Sequence, residues 1–181
     1  MNSLRAKLLV ATPLLPDDNF HRTVVLLIEH NEDGALGVVL NRPRQVGGAE
    51  AVAHWADRLL PPGLLHEGGP VSANSVIGLA RGPDHGPEGL VPLYADIGVL
   101  DLHRDPDDLP DIGSVRLFAG YAGWTAGQLE GELATGSWFV LDPEPDDALS
   151  ADPEALWGRV LARQDGLMGR VAEYPEDPSV N

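Results

Sequence analysis

An unbroken apolar run at residues 23–28, followed by Glu29 and His30, limits the architecture of this chain more than any other segment. The run is rich in β-branched residues and apolar on both faces, which is typical of a strand covered on both sides. Residues 31–34 supply the chemistry of a turn, and a second apolar run follows at residues 35–40. The two runs predict an antiparallel hairpin at the centre of a sheet.

Short apolar stretches bounded by glycine and proline predict further strands. They lie at residues 8–11, 64–65, 76–80, 90–91, 97–100, 115–119 and 138–141. Residues 49–60 predict a helix because apolar side chains recur there at i, i+3, i+4, i+7 and i+8. Further helices are predicted at residues 127–134 and from Asp152-Pro153 to about residue 164. The aspartate-rich residues 101–111 predict an exposed loop, and the last dozen residues are expected to be turn-like.

Length and charge narrow the class of protein. A chain of 181 residues fits one domain with one core, which here spans residues 1–181 and mixes helices with strands. The 12 basic and 28 acidic residues give a net charge of −16. Such a field repels phosphate backbones within about 8 Å, the Debye length at physiological salt. We therefore expect no direct binding of nucleic acid.

Several kinds of site are absent from the sequence. Without cysteine the chain has no disulfide, thiolate metal site or thiol nucleophile, which fits a cytoplasmic location. No apolar run approaches the roughly 20 residues that span a bilayer, so we expect no membrane insertion. None of the six histidines pairs with another at ligand spacing, and no nucleotide, hydrolase or calcium motif occurs. We expect no metal, no cofactor and no catalytic residue.

A glycine-rich stretch follows the predicted strand at residues 115–119. It contains Gly120, Gly123 and Gly127, placed between that strand and the next predicted helix. A turn of this kind can present backbone N–H groups to an anion. The alternative is structural: the glycines permit positive φ angles or close approach of two backbones, while Tyr121 and Trp124 pack.

Four motifs follow one another along the chain. The first is Leu9-x-Ala11-x-Pro13-x-Leu15-x-Asp17-x-x-Phe20-x-Arg22-x-Val24. The others are Gly34-Ala35-x-Gly37-Val38-x-Leu40-Asn41-Arg42-Pro43, then Gly68-Gly69-Pro70-Val71, then the stretch 118–132. Together with the terminal Asp177-Pro178-Ser179-Val180-Asn181, these motifs resemble the YqgE/AlgH family over nearly the whole chain. The main difference is a Gly- and Pro-rich loop between Ala80 and Leu90.

The resemblance implies a bacterial cytoplasmic α+β domain with a bent, mixed or antiparallel sheet that is partly barrel-like and flanked by helices. It implies little about activity. Members are often labelled transcriptional regulators, although the fold carries no established DNA-binding element. The predicted helix at residues 49–60 has Arg58 as its one cation and lacks a partner helix for reading DNA.

We expect the motif loops to converge on one recess, a cleft between the Gly68 turn and the Gly120 turn. The expected ligand-binding residues are Arg22, Asn41, Arg42, Gly69, Pro70, Tyr121, Trp124, Gln128 and Glu132. Arg42 can pair bidentately with a carboxylate or phosphate, and Trp124 can stack on a ligand. Structural interpretations stay open as well, because an arginine can neutralise a nearby carboxylate and Trp124 can belong to the core.

Two hypotheses of function follow. The leading one is a non-enzymatic binding or regulatory domain that binds an unknown protein or a small anionic ligand. The alternative is a hydrolase-like or nucleotide-binding enzyme, in which Glu132 or Asp17 acts as a general base beside Arg42. The alternative requires a carboxylate with a raised pKa inside a cleft.

Overall fold

The computed structural model describes residues 2–84 and 86–173, so the terminal motif at residues 177–181 lies outside the described residues. Within these ranges the strands are β1 (Leu8–Ala11), β2 (Val24–Asn31), β3 (Gly34–Val39), β4 (Pro43–Gly47), β5 (Leu64–Glu67), β6 (Val71–Arg81), β7 (Leu90–Tyr94), β8 (Ile97–Leu100), β9 (Val115–Thr125) and β10 (Trp138–Leu141). The α-helices are α1 (Gln128–Ala134), α2 (Leu156–Ala162) and α3 (Gly166–Val171). No helix in the described ranges is long and apolar enough to cross a membrane.

The hairpin expected from the apolar runs is confirmed. β2 and β3 pair antiparallel, with Leu26 opposite Val38 and a bulge between Leu27 and Glu29. Every residue from Val24 to Ile28 is buried, which fits a strand whose two faces are both covered. The pair therefore lies in the middle of the sheet, as the sequence predicts.

The ten strands form one curled sheet in the order β10-β1-β2-β3-β9-β6-β8-β7, and β4 joins it through β5. β5 runs parallel to β9, while the other described strand pairs are antiparallel. The two ends of the strand order approach each other. Arg5, which precedes β1, donates to the Pro92 carbonyl on β7 at 2.9 Å, and Tyr94 donates to the Glu144 carbonyl at 3.1 Å. The fold is thus an α+β half-barrel, as expected.

Helices cover both faces of the sheet. On one face α2 packs against β1, β2, β3 and β9, and the Trp157 indole donates to the Ala11 carbonyl at 2.9 Å. On the other face Leu129 of α1 packs with Leu9, Val25 and Trp124. Side chains alternate between the two faces along each strand, which explains why β1 and β2 are apolar throughout.

The predicted helix at residues 49–60 is wrong. The segment forms two short 3₁₀ helices, Gly48–Glu50 and Ala53–Arg58. Trp55, in the second of them, is fully buried. The Arg58 guanidinium donates to the carbonyls of Leu109 and Pro106, so its position is fixed by the loop expected at residues 101–111. Tertiary contacts of this kind override the helical spacing of the apolar residues.

The glycine-rich stretch also differs from its prediction. Gly120 and Gly123 lie inside the long strand β9, so they do not form a turn between a strand and a helix. Gly127 alone precedes α1, with a positive φ of 79°. The strand β4 and the helix α3 were not evident from the sequence, whereas the helix starting after Asp152 is confirmed as a 3₁₀ turn that continues into α2.

Candidate functional site

A tight loop at residues 17–22 is the centre of the candidate site. The Asp17 carboxylate accepts the Asn19 N–H at 2.9 Å, and the Thr23 hydroxyl donates to the Phe20 carbonyl at 2.8 Å. These local bonds are the usual way in which Asp and Thr stabilise a turn. The loop ends at Arg22, whose positive φ of 55° is unusual for a residue with a side chain.

Asn41 and Arg42, at the end of β3, hold this loop in place. The Asn41 side chain accepts the Val24 N–H at 3.0 Å and donates to the Arg22 carbonyl at 2.8 Å. The Arg42 guanidinium donates to the carbonyls of Asn19 and His21. Both side chains therefore have a clear structural role in addition to any contact with a ligand.

An open cavity of 720 Å³ lies between this loop and α2. Its lining residues are His21, Arg22, Asn41, Arg42, Glu154, Ala155, Trp157, Gly158, Arg159, Ala162 and Ala172. Ligand pockets commonly have volumes of about 300–1,000 Å³. The Arg22 guanidinium lies over the Trp157 ring, 4.4 Å from its centroid, in a cation–π contact. We call this cavity the arginine recess.

Cationic side chains outnumber carboxylates in the arginine recess although the chain is acidic. Among the described residues, three arginines line it together with one carboxylate, Glu154. Arg159 donates to the Ser150 hydroxyl at 2.6 Å, and in the described part of the chain neither it nor Arg42 forms an ion pair with a carboxylate. Burial lowers the pKa of the Arg42 guanidinium, and the charges of Glu67 and Asp17 act in the opposite direction. Arg42 and Arg159 are thus held by neutral acceptors.

A second group of predicted site residues lies against the other face of the sheet. One Glu132 oxygen accepts the indole N–H groups of Trp124 at 3.1 Å and Trp138 at 2.9 Å. The other oxygen accepts the Gln128 amide at 3.1 Å. The Phe20 ring contacts both indoles, with centroids 6.3 and 5.8 Å away. This group therefore fixes the loop at residues 17–22 from the side opposite Arg42.

Gly69, Pro70 and Tyr121 form a third group, where β6 begins beside β9. The Gly68 N–H donates to the Ala119 carbonyl at 2.8 Å, and a Cβ built on Gly69 would overlap the backbone of Tyr121. The two segments are in such close contact that they leave no cleft between them. Close approach of two backbones is the role of these glycines.

The expectation of one recess shared by all motif loops is therefore wrong. The segments do meet through their backbones, since the Glu67 N–H donates to the Arg42 carbonyl at 2.8 Å. The arginine recess nevertheless takes Arg22, Asn41 and Arg42 from the predicted residues, and none from residues 68–71 or 120–128. Tight packing between the glycine segments excludes a ligand from the predicted position.

Eight lining residues were not predicted as site residues, namely His21, Glu154, Ala155, Trp157, Gly158, Arg159, Ala162 and Ala172. The prediction that Trp157 faces inward is confirmed by its 5% exposure, and its ring also borders the arginine recess. The spacing of Ala155, Gly158 and Ala162 is the one sequence signal for this wall. Residues at i, i+3, i+4 and i+7 share a helix face, so Arg159 lies on the same face as these three small residues.

Two buried polar side chains lie apart from these groups, on the face of the sheet that α2 covers. His66 on β5 contacts the Phe118 ring, and Arg116 precedes Phe118 by two residues on β9. His66 Nε2 and Arg116 Nη1 are buried without a hydrogen-bond partner. Burial, and secondly the charge of Arg116, lowers the pKa of His66 to about 4, while burial lowers the pKa of Arg116 to about 10.

The fold and the recess together define an α+β half-barrel protein with an open cationic recess beside a helix on one face of its sheet. A family model described as AlgH-like matches residues 8–169. The chain belongs to this family, which confirms the resemblance to YqgE/AlgH proteins.

Proteins of similar sequence or structure cover between 91% and 100% of this chain. A UPF0301 protein of Streptomyces coelicolor is 49% identical over 100% of this chain and 97% of its own length. The crystal structure of protein DIP2367 from Corynebacterium diphtheriae has a TM-score of 0.86 at 31% identity, covering 93% of this chain and 91% of that one. The solution structure of the AlgH protein from Pseudomonas aeruginosa has a TM-score of 0.65 at 29% identity, covering 91% of this chain and 96% of that one. These names state no activity.

Proposed function

We propose that this protein is a non-enzymatic binding or regulatory domain whose arginine recess takes a small anion with a carboxylate or phosphate group. The observation that carries the proposal is the placement of Arg22, Arg42 and Arg159 around one cavity in a chain of net charge −16. A concave site in which one sign of charge predominates concentrates ions of the opposite sign.

The arginine side chains are already ordered before a ligand arrives. Arg42 is held by the carbonyls of Asn19 and His21, and Arg159 by the hydroxyl of Ser150. Neutral acceptors fix the geometry of a guanidinium without a direct ion pair to a carboxylate. A preordered cation loses little side-chain entropy when an anion binds, which strengthens the interaction.

The contacts of the candidate bases favour binding over catalysis. Both oxygens of Glu132 accept hydrogen bonds from Trp124, Trp138 and Gln128, which lie outside the arginine recess. Asp17 is exposed and accepts a backbone N–H within its own turn. A general base needs an oxygen directed at a substrate, and neither Glu132 nor Asp17 lines the arginine recess.

A regulatory role is proposed to act through a partner rather than through DNA. The three arginines of the recess lie together at one place in a chain with 28 acidic residues. Binding to a duplex requires cations spread along a surface, and a field of −16 opposes it. We expect no retention on heparin or DNA at low salt, and retention that inorganic phosphate displaces would contradict the proposal.

Calorimetric titration with inorganic phosphate and with acetate tests the proposed function. Arg159→Gln removes a charge from the recess, and Arg44→Gln removes one from β4 outside it. A charge-assisted hydrogen bond contributes about 1.5–3 kcal/mol, so Arg159→Gln should weaken binding of the preferred anion about tenfold or more. Arg44→Gln should change it less than twofold.

Three controls complete this experiment. Arg42→Gln should lose binding too, but it also releases two carbonyls of the loop, which makes Arg159→Gln the decisive variant. Circular dichroism and thermal unfolding establish that each variant is folded. If wild-type protein binds neither anion, or if the Arg159 and Arg44 variants lose affinity equally, the proposed function is wrong.

A further inference from the structure

We infer that the arginine recess selects an organic anion with an apolar body over an inorganic anion, and that Gly158 sets this preference. The inference rests on the proposed function and adds the class of ligand and the residue that determines it. It depends on the chemical character of the residues that line the recess.

The lining has a cationic part and an apolar part. Arg22 and Arg42, together with Arg159 of α2, supply the cationic part, which also contains the carboxylate of Glu154. Ala155, Gly158 and Ala162, on one face of α2 and the turn before it, supply the apolar part together with Ala172 after α3. A free inorganic anion would contact the charged part alone. A ligand with an apolar body attached to its anionic group would contact both parts and bury apolar surface.

Gly158 is unexplained by the needs of the fold. It lies within α2, where glycine is less favourable than alanine because it loses more backbone freedom on folding. A Cβ built on Gly158 would meet no atom within 4 Å, and no positive φ requires glycine there. The space that the Cβ would occupy belongs to the arginine recess, since Gly158 lines it.

Two other glycines in helices provide a comparison for Gly158. Gly169 of α3 is required by packing, because a Cβ there would overlap the Gln164 carbonyl at 2.5 Å. Gly131 of α1 resembles Gly158 in having no atom within 4 Å of a built Cβ, but it lies outside the arginine recess. Gly131 is therefore a matched control for substitutions at Gly158.

The test compares phenyl phosphate with inorganic phosphate as probes in calorimetric titrations of the whole chain. Wild-type protein should bind phenyl phosphate at least tenfold more tightly than inorganic phosphate. Gly158→Leu fills the apolar part of the recess and should reduce this ratio to less than threefold. Gly158→Ala should give an intermediate ratio.

The control variants are Gly131→Ala and Gly131→Leu, which should keep the wild-type ratio. Thermal unfolding should show Gly158→Ala and Gly131→Ala to be at least as stable as wild type, so that lost binding is not lost folding. Equal affinity of wild-type protein for the two probes, or an unchanged ratio in Gly158→Leu, overturns the inference. If Arg159→Gln still weakens phosphate binding when either of these results is found, the proposed function stands although the inference about Gly158 is wrong.

Discussion

Replacing Glu132 by alanine should destabilise the protein strongly. The carboxylate is the acceptor for two buried indoles, Trp124 at 6% and Trp138 at 4% exposure. A buried donor without an acceptor costs about 1–3 kcal/mol, so two of them give about 4 kcal/mol. Since domains of this size unfold with about 5–15 kcal/mol, the loss should be evident in urea denaturation.

Two milder variants separate the contributions of the hydrogen bonds that Glu132 accepts. Glu132→Gln keeps one carbonyl oxygen for the two indoles, so it should cost about 1 kcal/mol. Gln128→Ala removes the exposed third donor and also the acceptor of the Thr125 N–H, and should cost about 1 kcal/mol. In addition, Glu132→Gln should leave binding of inorganic phosphate within twofold of wild type, because Glu132 does not line the arginine recess.

The interpretation of Glu132 as an anchor for the two indoles is refuted by a loss below about 1 kcal/mol for Glu132→Ala. It is also refuted if Glu132→Gln remains as stable as wild type but loses phosphate binding. The first result would mean that the indoles find other acceptors, and the second would assign Glu132 to a ligand site.

Two further predictions concern buried ionisable groups. Asp147→Asn should lower the free energy of unfolding by about 3 kcal/mol in urea denaturation, because the 2% exposed Asp147 accepts two bonds from Arg163 at 2.8 and 2.6 Å. A loss below about 1 kcal/mol would show that water replaces these bonds. Stability should also fall as the pH drops from 6.5 towards 4, because the pKa of His66 is about 4 in the folded protein and 6.5 in the unfolded chain, which therefore binds the proton first. The decrease amounts to up to about 3 kcal/mol and should be absent in His66→Gln; equal pH dependence in both proteins would contradict the burial of neutral His66.

The β2–β3 hairpin could be predicted because a local pattern of residues determines it. The apolar run that became β2 and the turn before Gly34 specify a hairpin without help from distant residues. Residues 49–60 show the limit of such patterns, because their helical spacing competes with contacts to residues 102–112 that no local pattern contains. Long-range contacts also explain why the ends of the sheet approach each other.

The candidate site was only partly predictable for a similar reason. Arg22, Asn41 and Arg42 stand in recognisable motifs, and the structure brings all three to one recess. Its other wall comes from α2, more than 110 residues away along the chain, so the sequence could not reveal that Gly158 and Arg159 face the same space. The glycines at 69 and 120 indicated a close approach correctly, but they meet each other instead of a ligand.

Titration of ¹⁵N-labelled protein with inorganic phosphate, followed by chemical shifts of the backbone amides, tests the arginine recess most directly. The largest changes should map to residues 21–22, 41–42, 155 and 157–159, which line the recess. Changes centred on the 510 Å³ cavity beside His54 and His103, or no saturable change at all, would contradict an anion site at this position.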